Sequence, residues 1–103
     1  MSMRDNRISR RYMLSDSQCF FPEEKTPRMV MNLSMGGMLV EKLEDDSSRV
    51  GDAIAGITVI VDGQSQIFDA KVVRVQEKSL GMVFTELKEQ DMSFLFKVLA
   101  NRS

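Results

Sequence analysis

The dipeptide Asp62-Gly63 constrains the fold of this chain most, because it separates two apolar stretches. Both residue types tolerate positive φ, so the pair predicts the two-residue turn of a β-hairpin. Residues 53–61 alternate, and the face predicted to point toward the core consists of Ala55, Ile57, Val59 and Val61. In the return strand, residues 64–76, the apolar residues up to Val72 fit one face, whereas Val73 and Val75 fit the other. An extra residue or burial on both faces would explain that change.

A second alternating segment covers residues 28–34. One face holds Met29, Met31 and Leu33, and the other holds Arg28, Val30, Asn32 and Ser34. The alternation predicts that the two methionines fill the core and that Arg28, like Arg74, is a surface charge. It also predicts that Asn32 and Ser34 lie side by side, on the face away from the methionines.

The remaining apolar segments complete a barrel pattern. Three further strands are predicted at residues 17–22, 38–42 and 80–84. From about residue 88 the period becomes helical, with apolar positions at Met92, Leu95, Phe96 and Leu99. Many short strands followed by one helix predict an all-β fold, a small antiparallel barrel whose open end is closed by a C-terminal helix over about residues 88–100.

Composition excludes several classes of function. The 103 residues suffice for one domain, and a net charge of −1 favours neither nucleic acid nor a membrane as a general partner. There is no histidine, and Cys19 is the single cysteine, so neither a metal site nor a disulfide is predicted. Cys19 is predicted to be a small buried apolar residue. Without an apolar stretch of membrane-spanning length or a secretion signal, a reduced, cytoplasmic protein is predicted, with no membrane insertion.

Two polar clusters carry the functional signal. The first is Arg7-x-x-x-Arg11, in an arginine-rich segment over residues 1–12 that is predicted to be a flexible arm until a ligand orders it. The second is Asn32-x-Ser34-x-x-Gly37, at the end of a strand. Guanidinium groups suit phosphate oxygens and the O6/N7 edge of guanine, and an amide with a hydroxyl can bind the opposite edge of that base. The two clusters therefore predict a clamp for a guanine nucleotide.

The chain resembles the PilZ domain family of bacterial receptors for cyclic di-GMP. The resemblance covers nearly the whole length and includes both clusters, the Asp62-Gly63 turn and the closing helix. It implies a six-stranded antiparallel barrel over residues 13–103, preceded by the arm over residues 1–12.

The resemblance also implies a set of site residues. The arginine pair, Arg7 and Arg11, would bind phosphate and guanine, and Arg10 would be an accessory phosphate contact. Asn32, Ser34 and Gly37 would contact the base, with Gly37 allowing a close backbone approach or a positive φ. The implied function is a non-enzymatic receptor in second-messenger signalling that relays the signal to a protein partner in motility, pilus or polysaccharide machinery. No cofactor is implied besides the ligand.

Other functions stay open at this point. A protein interaction module could share the barrel without binding the nucleotide. Non-specific nucleic-acid binding through the arginine arm is disfavoured by the near-neutral net charge. Catalysis is least favoured, because the sequence offers neither a histidine nor an evident pair of a nucleophile and a base.

Overall fold

The computed structural model describes residues 17–100, which form a closed antiparallel barrel and one helix. Its elements are β1 (Gln18–Phe20), β2 (Arg28–Leu33), β3 (Gly37–Glu41), β4 (Ala53–Val61), β5 (Gln64–Val75), β6 (Ser79–Phe84) and α1 (Glu89–Ala100). The strand order is β1-β2-β3-β6-β5-β4, and β1 pairs with β4 to close the barrel. The predicted fold class is confirmed; the predicted arm, residues 1–12, lies outside the described residues. Within residues 17–100, no helix is both long and apolar enough to cross a membrane.

The β4–β5 hairpin forms as predicted around Asp62-Gly63. Asp62 and Gly63 have φ values of 53° and 80°, and Val61 pairs directly with Gln64 across the turn. The prediction for Ala55 is wrong, because the β4–β5 register shifts between Ile54 and Ile57 and leaves Ala55 exposed.

The barrel interior is a continuous apolar core to which every strand contributes. Phe68 of β5 stacks on Phe84 of β6, with ring centroids 4.5 Å apart, and lies 5.9 Å from the ring of Phe94 in α1. Cys19 is fully buried in this core, and burial raises the pKa of its thiol to about 12. The thiol therefore stays protonated near neutral pH, and its predicted role as a small apolar residue is confirmed.

The predicted faces of β2 are reversed over its first half. Arg28 and Val30 are buried, whereas Met29 and Met31 are 50% and 38% exposed. The register then shifts by one residue, because Val30 pairs with Val40 but Asn32 pairs with Leu39. Met31 is the extra residue, so the prediction that Asn32 lies away from the methionines is wrong: it shares the outer face of the barrel with them.

Helix α1 packs on the barrel through a stripe that includes Leu95 and Leu99 of the predicted apolar positions but not Met92 or Phe96. Its buried residues are Asp91, Phe94, Leu95 and Val98. Phe96 is 68% exposed and Met92 is 39% exposed, so these two apolar positions of the helical pattern lie outside the packing stripe. The buried Asp91 carboxylate is satisfied, because it accepts hydrogen bonds from the Lys88 backbone N–H at 2.9 Å and from Gln66 Nε2 at 2.7 Å. The first bond caps the start of the helix, which explains why a charged residue faces the core.

Arg28 is not a surface charge but the centre of a buried ion-pair cluster. Its guanidinium donates to both carboxylate oxygens of Glu24 at 3.1 and 2.9 Å, and to Asp46 Oδ2 at 2.5 Å. It also donates to the Glu41 carbonyl and lies 3.8 Å from the centroid of the Phe21 ring. Arg28, Glu24 and Asp46, called the Arg28 cluster below, thus tie the loop after β3 to the start of β2.

The electrostatics of the Arg28 cluster favour the charged forms of its groups. Burial by itself would lower the pKa of Arg28, but hydrogen bonds to Glu24 and Asp46 raise it above its ordinary value. Burial would likewise raise the pKa of Asp46, yet hydrogen bonds from Ser48 and Arg28 hold it below its usual range. The cluster therefore stabilises the fold as an ion pair.

Candidate functional site

The turn between β2 and β3 is organised by Ser34. The Ser34 hydroxyl accepts hydrogen bonds from the backbone N–H groups of Gly36 and Gly37, each at 3.2 Å, and donates to the Gly37 carbonyl at 3.3 Å. The Ser34 backbone N–H donates to the same carbonyl at 2.9 Å. Because the hydroxyl is engaged on both its donor and acceptor sides, its contribution in this structure is to fix the shape of the turn.

Gly37 is required where the turn enters the barrel wall. A Cβ at this position would overlap the backbone carbonyl oxygen of Met82 in the neighbouring strand β6. Gly37 does not have a positive φ. Of the two roles predicted for it, close backbone approach therefore applies, and the backbone it approaches is that of β6.

Asn32 stands on the outer surface beside this turn. The extra residue Met31 turns it outward, opposite Leu39 of β3. Within residues 17–100, the Asn32 side-chain amide has no hydrogen-bond partner. Such a half-buried amide can bind a ligand without first breaking a bond to this part of the chain.

Asn32, Ser34 and Gly37 lie together on one open cavity of about 370 Å³, within the usual size range of ligand sites. This cavity, called the Asn32–Arg74 cavity below, spans the outer faces of β2, β3, β6 and β5. Its lining comprises Asn32, Ser34, Gly36, Gly37, Met38, Leu39, Val73, Arg74, Gly81, Met82 and Val83. The lining joins a polar wall on the β2 side to an apolar floor, an arrangement that suits a flat base with polar edges.

Arg74 lines the cavity although it was not predicted as a site residue. It is exposed, as expected for a surface charge, but it is the only charged residue among those in the described chain that line the cavity. The one available signal was the change of phase in residues 64–76. That change proves to be a register shift between Val72 and Arg74, with both Val73 and Arg74 on the outer surface.

A second cavity, of about 380 Å³, lies between β5 and the start of α1. Its charged lining residues are Asp69, Glu86, Asp91 and Lys88. Three carboxylates against one ammonium make it unsuitable for an anionic ligand. Among residues 17–100, no group of three or more His, Cys, Asp or Glu residues is arranged to hold a metal ion.

The predicted arginines, Arg7, Arg10 and Arg11, lie outside the described residues. Their proposed contacts with a ligand therefore stay predictions, and so do the ligand contacts of Asn32, Ser34 and Gly37.

The fold and cavity together define a small antiparallel barrel that presents a polar turn to a ligand-sized opening. The sequence model of the PilZ domain family matches residues 5–100, and the chain therefore belongs to this family. This family is a regulatory and binding domain, not typically enzymatic, whose members generally bind cyclic di-GMP and protein partners. No curated protein sequence matches the chain significantly.

Three solved structures share the fold. The uncharacterized Legionella protein Lpg0364 is 18% identical, with a TM-score of 0.61 and coverage of 82% of this chain and 83% of that one. The PilZ domain of CeSA from a cellulose synthesizing bacterium is 16% identical, with a TM-score of 0.60 and coverage of 82% and 88%. The Bacillus subtilis inhibitor of motility MotI/DgrA is 20% identical, with a TM-score of 0.65; the match covers 84% of this chain but only 44% of MotI.

Proposed function

We propose that this protein is a non-enzymatic receptor for cyclic di-GMP. The observation that carries the proposal is the gathering of Asn32, Ser34 and Gly37 on one ligand-sized cavity. The family match supports it, because residues 5–100 include the arginine pair as well as the turn.

The proposed contact of Asn32 is with a guanine base. Guanine presents the N1–H and N2–H donors on its Watson–Crick edge, and the Asn32 carbonyl oxygen can accept from one of them. The Asn32 amide has no hydrogen-bond partner among residues 17–100, so this contact breaks no bond within that part of the chain. Ser34 acts indirectly, by holding the turn that presents Asn32 and leaves the backbone of Gly36 at the cavity.

The arginine pair supplies the opposite charge for the two phosphates of the dinucleotide. In the proposed complex, Arg7 and Arg11 lie over the ligand, one forking onto a guanine O6/N7 edge and the other pairing a phosphate. Arg10 adds an accessory phosphate contact. In this proposal binding orders the arm and so costs conformational entropy, and we expect a dissociation constant near micromolar, which corresponds to a binding free energy of about −8 kcal/mol.

The bound state is proposed to act through a protein partner in the cytoplasm. Helix α1 supports this step, because Met92 and Phe96 lie four residues apart on its surface and are 39% and 68% exposed. Exposed aromatic and methionine side chains are enriched at protein interfaces. Flagellar, pilus and polysaccharide machineries are the partner classes that the family resemblance suggests.

Isothermal titration calorimetry with cyclic di-GMP tests the proposal. The parent protein should bind with micromolar affinity, and Arg7→Ala and Arg11→Ala should each weaken binding at least about tenfold, since each removes a charge-assisted contact. Arg49→Ala is the matched control, because Arg49 is an exposed arginine outside the cavity lining. If the parent does not bind, or if both arm variants bind as tightly as the parent, the proposed clamp is wrong.

A second candidate function is a PilZ-like interaction module that does not bind the nucleotide. The exposed apolar pair on α1 favours it, because this surface exists without any ligand. In that case excess cyclic di-GMP would not shift the NMR amide signals of residues 32–37. A protein partner would bind the parent protein without the nucleotide, and Phe96→Ser would abolish that binding.

A further inference from the structure

Arg74 reaches the cavity because of an extra residue in β5. Val72 pairs with Met82, but the next pair is Arg74 with Gly81, so Val73 and Arg74 together oppose a single residue of β6. With regular pairing, Val73 would face Gly81, and Arg74 would face the fully buried Leu80. The register shift therefore turns a guanidinium from the barrel interior to the outer surface.

Gly81 leaves space for that side chain. A Cβ at position 81 would lie 3.2 Å from the Arg74 Cβ, closer than ordinary packing, and 4.0 Å from Leu39 Cδ1. The absence of a side chain at Gly81 thus creates a trough between Leu39 and Arg74. Glycine in a strand often marks a close approach of a ligand.

The trough has a polar residue at each end. Direct pairing links Asn32 to Leu39, Leu39 to Gly81 and Gly81 to Arg74, so these four residues form one row across β2, β3, β6 and β5. Three strand spacings separate the ends of this row by about 14 Å along the surface. The amide at one end and the guanidinium at the other thus flank a floor of Leu39 and Gly81.

The positive charge of Arg74 is not neutralised by the described part of the chain. Within residues 17–100, Arg74 makes no salt bridge, in contrast to Arg28, which pairs with Glu24 and Asp46. An unpaired guanidinium on a cavity wall favours an anionic ligand, and arginine binds phosphate oxygens through a planar fork.

We propose that Arg74 is a ligand contact that reaches back over Gly81 and binds a phosphate oxygen of the dinucleotide whose guanine lies against Asn32. The assignment rests on the proposed function and adds to it a cation from the barrel wall. Two of the three register shifts in the described barrel, at Met31 and at Val73, lie on the two strands that bound this cavity, and the third lies in β4.

The role of Arg74 as a phosphate contact can be tested by calorimetry. Arg74→Gln and Arg74→Lys are titrated with cyclic di-GMP at low and at physiological salt. Arg74→Gln should weaken binding about tenfold and reduce the salt dependence of the dissociation constant, since one phosphate contact is lost. Arg74→Lys should recover most of the affinity, because a phosphate accepts a lysine as a point charge. Arg49→Gln is the matched control and should bind like the parent, and thermal melting of each variant checks that the barrel is intact.

The outcomes separate the two proposals. If the parent binds and Arg11→Ala weakens binding while Arg74→Gln does not, the role of Arg74 is overturned and the receptor function stands. If Arg74→Lys loses as much affinity as Arg74→Gln, the phosphate contact is overturned. Failure of the parent to bind would overturn both. As an independent check, Gly81→Val should fill the trough and weaken binding without changing any charge.

Discussion

Two arginines on strands of the same barrel differ in almost every physical respect. Arg28 is 1% exposed and is held by the carboxylates of Glu24 and Asp46, whereas Arg74 is exposed and has no salt bridge within residues 17–100. Arg28 lies at an inward position of β2, whereas a register shift turns Arg74 outward from β5. A buried, paired charge is a structural element, but an unpaired charge on a cavity wall is available to a ligand.

The largest expected effect lies in the Arg28 cluster. Arg28→Met removes the cation and leaves the carboxylate of Asp46, whose side chain is only 4% exposed, without its partner. Breaking a buried pair in this way destabilises a protein by about 3–5 kcal/mol. Urea denaturation should show this loss.

Arg74→Met is the matched control in the same assay. An exposed side chain outside the core should change the free energy of unfolding by no more than about 0.5 kcal/mol. If Arg28→Met and Arg74→Met lower the free energy of unfolding equally, Arg28 is not a structural arginine in a sense that Arg74 is not.

The second prediction concerns Gly37, where the turn between β2 and β3 enters the barrel wall beside the Asn32–Arg74 cavity. In Gly37→Ala the added methyl group meets the Met82 carbonyl oxygen, which belongs to backbone that can move only if β3 and β6 separate. Overpacking of this kind costs about 1–3 kcal/mol, measurable as a lower denaturation midpoint.

Gly36→Ala is the paired control for this change. A Cβ at Gly36 meets nothing within 4 Å, and Gly36 does not have a positive φ. Its denaturation midpoint should therefore stay close to that of the parent. A midpoint for Gly37→Ala as high as that of Gly36→Ala would contradict the close approach of the two strands.

The third prediction is a dependence of stability on pH that originates in the Arg28 cluster. Hydrogen bonds from Ser48 and Arg28 outweigh the effect of burial and lower the pKa of Asp46. A carboxyl group with a lower pKa in the folded state than in the unfolded state stabilises the fold above its unfolded pKa of about 3.9. That stabilisation is lost as the pH falls through the folded-state pKa.

Denaturation series between neutral and acidic pH should therefore show a shallower acid loss for Asp46→Asn than for the parent. Asp45→Asn removes a neighbouring carboxylate outside the cluster and is the control. An identical acid profile for Asp46→Asn and the parent would show that the cluster does not depend on the ionised Asp46.

The alternation of apolar and polar residues along each segment was sufficient to predict the barrel, but it was not sufficient to predict where Arg28 and Arg74 lie. The Asp62-Gly63 turn and the apolar alternation around it act between neighbours in sequence, so the hairpin and the terminal helix were predictable. The sequence places Arg28 on the surface because only one of its two partners, the half-exposed Glu24, is nearby, whereas the buried partner Asp46 lies 18 residues away, in a loop with no regular pattern. A charge is buried only where such a partner exists, and a single strand does not reveal it.

In the cavity, too, contacts within one strand were predictable, whereas contacts across strands were not. Asn32 and Ser34 were predicted side by side because they lie two residues apart on one strand. Arg74 joins them only through pairing across β3 and β6, and only because Val73 is an extra residue opposite Gly81. Register shifts depend on the partner strand, so a residue brought into a site by one is beyond prediction from its own segment.

The smallest effect is expected for Asn32→Asp, which tests whether position 32 contacts the guanine base. A carboxylate has two acceptor oxygens and a charge, so it can accept from both N1–H and N2–H of a guanine, and charge-assisted hydrogen bonds are about twice as strong as neutral ones. We expect cyclic di-GMP to bind several-fold more tightly to this variant, about 1 kcal/mol. Its stability should be unchanged, because the Asn32 amide makes no hydrogen bond within residues 17–100.

Calorimetry on Asn32→Asp and Asn32→Ala distinguishes base recognition from general charge. Asn32→Ala should weaken binding, whereas Asn32→Asp should strengthen it even though it adds a negative charge near the phosphates. If position 32 instead faces a phosphate, Asn32→Asp will weaken binding more than Asn32→Ala, since like charges repel. That outcome would reverse the orientation of the ligand and place the guanine at the Arg74 end of the cavity.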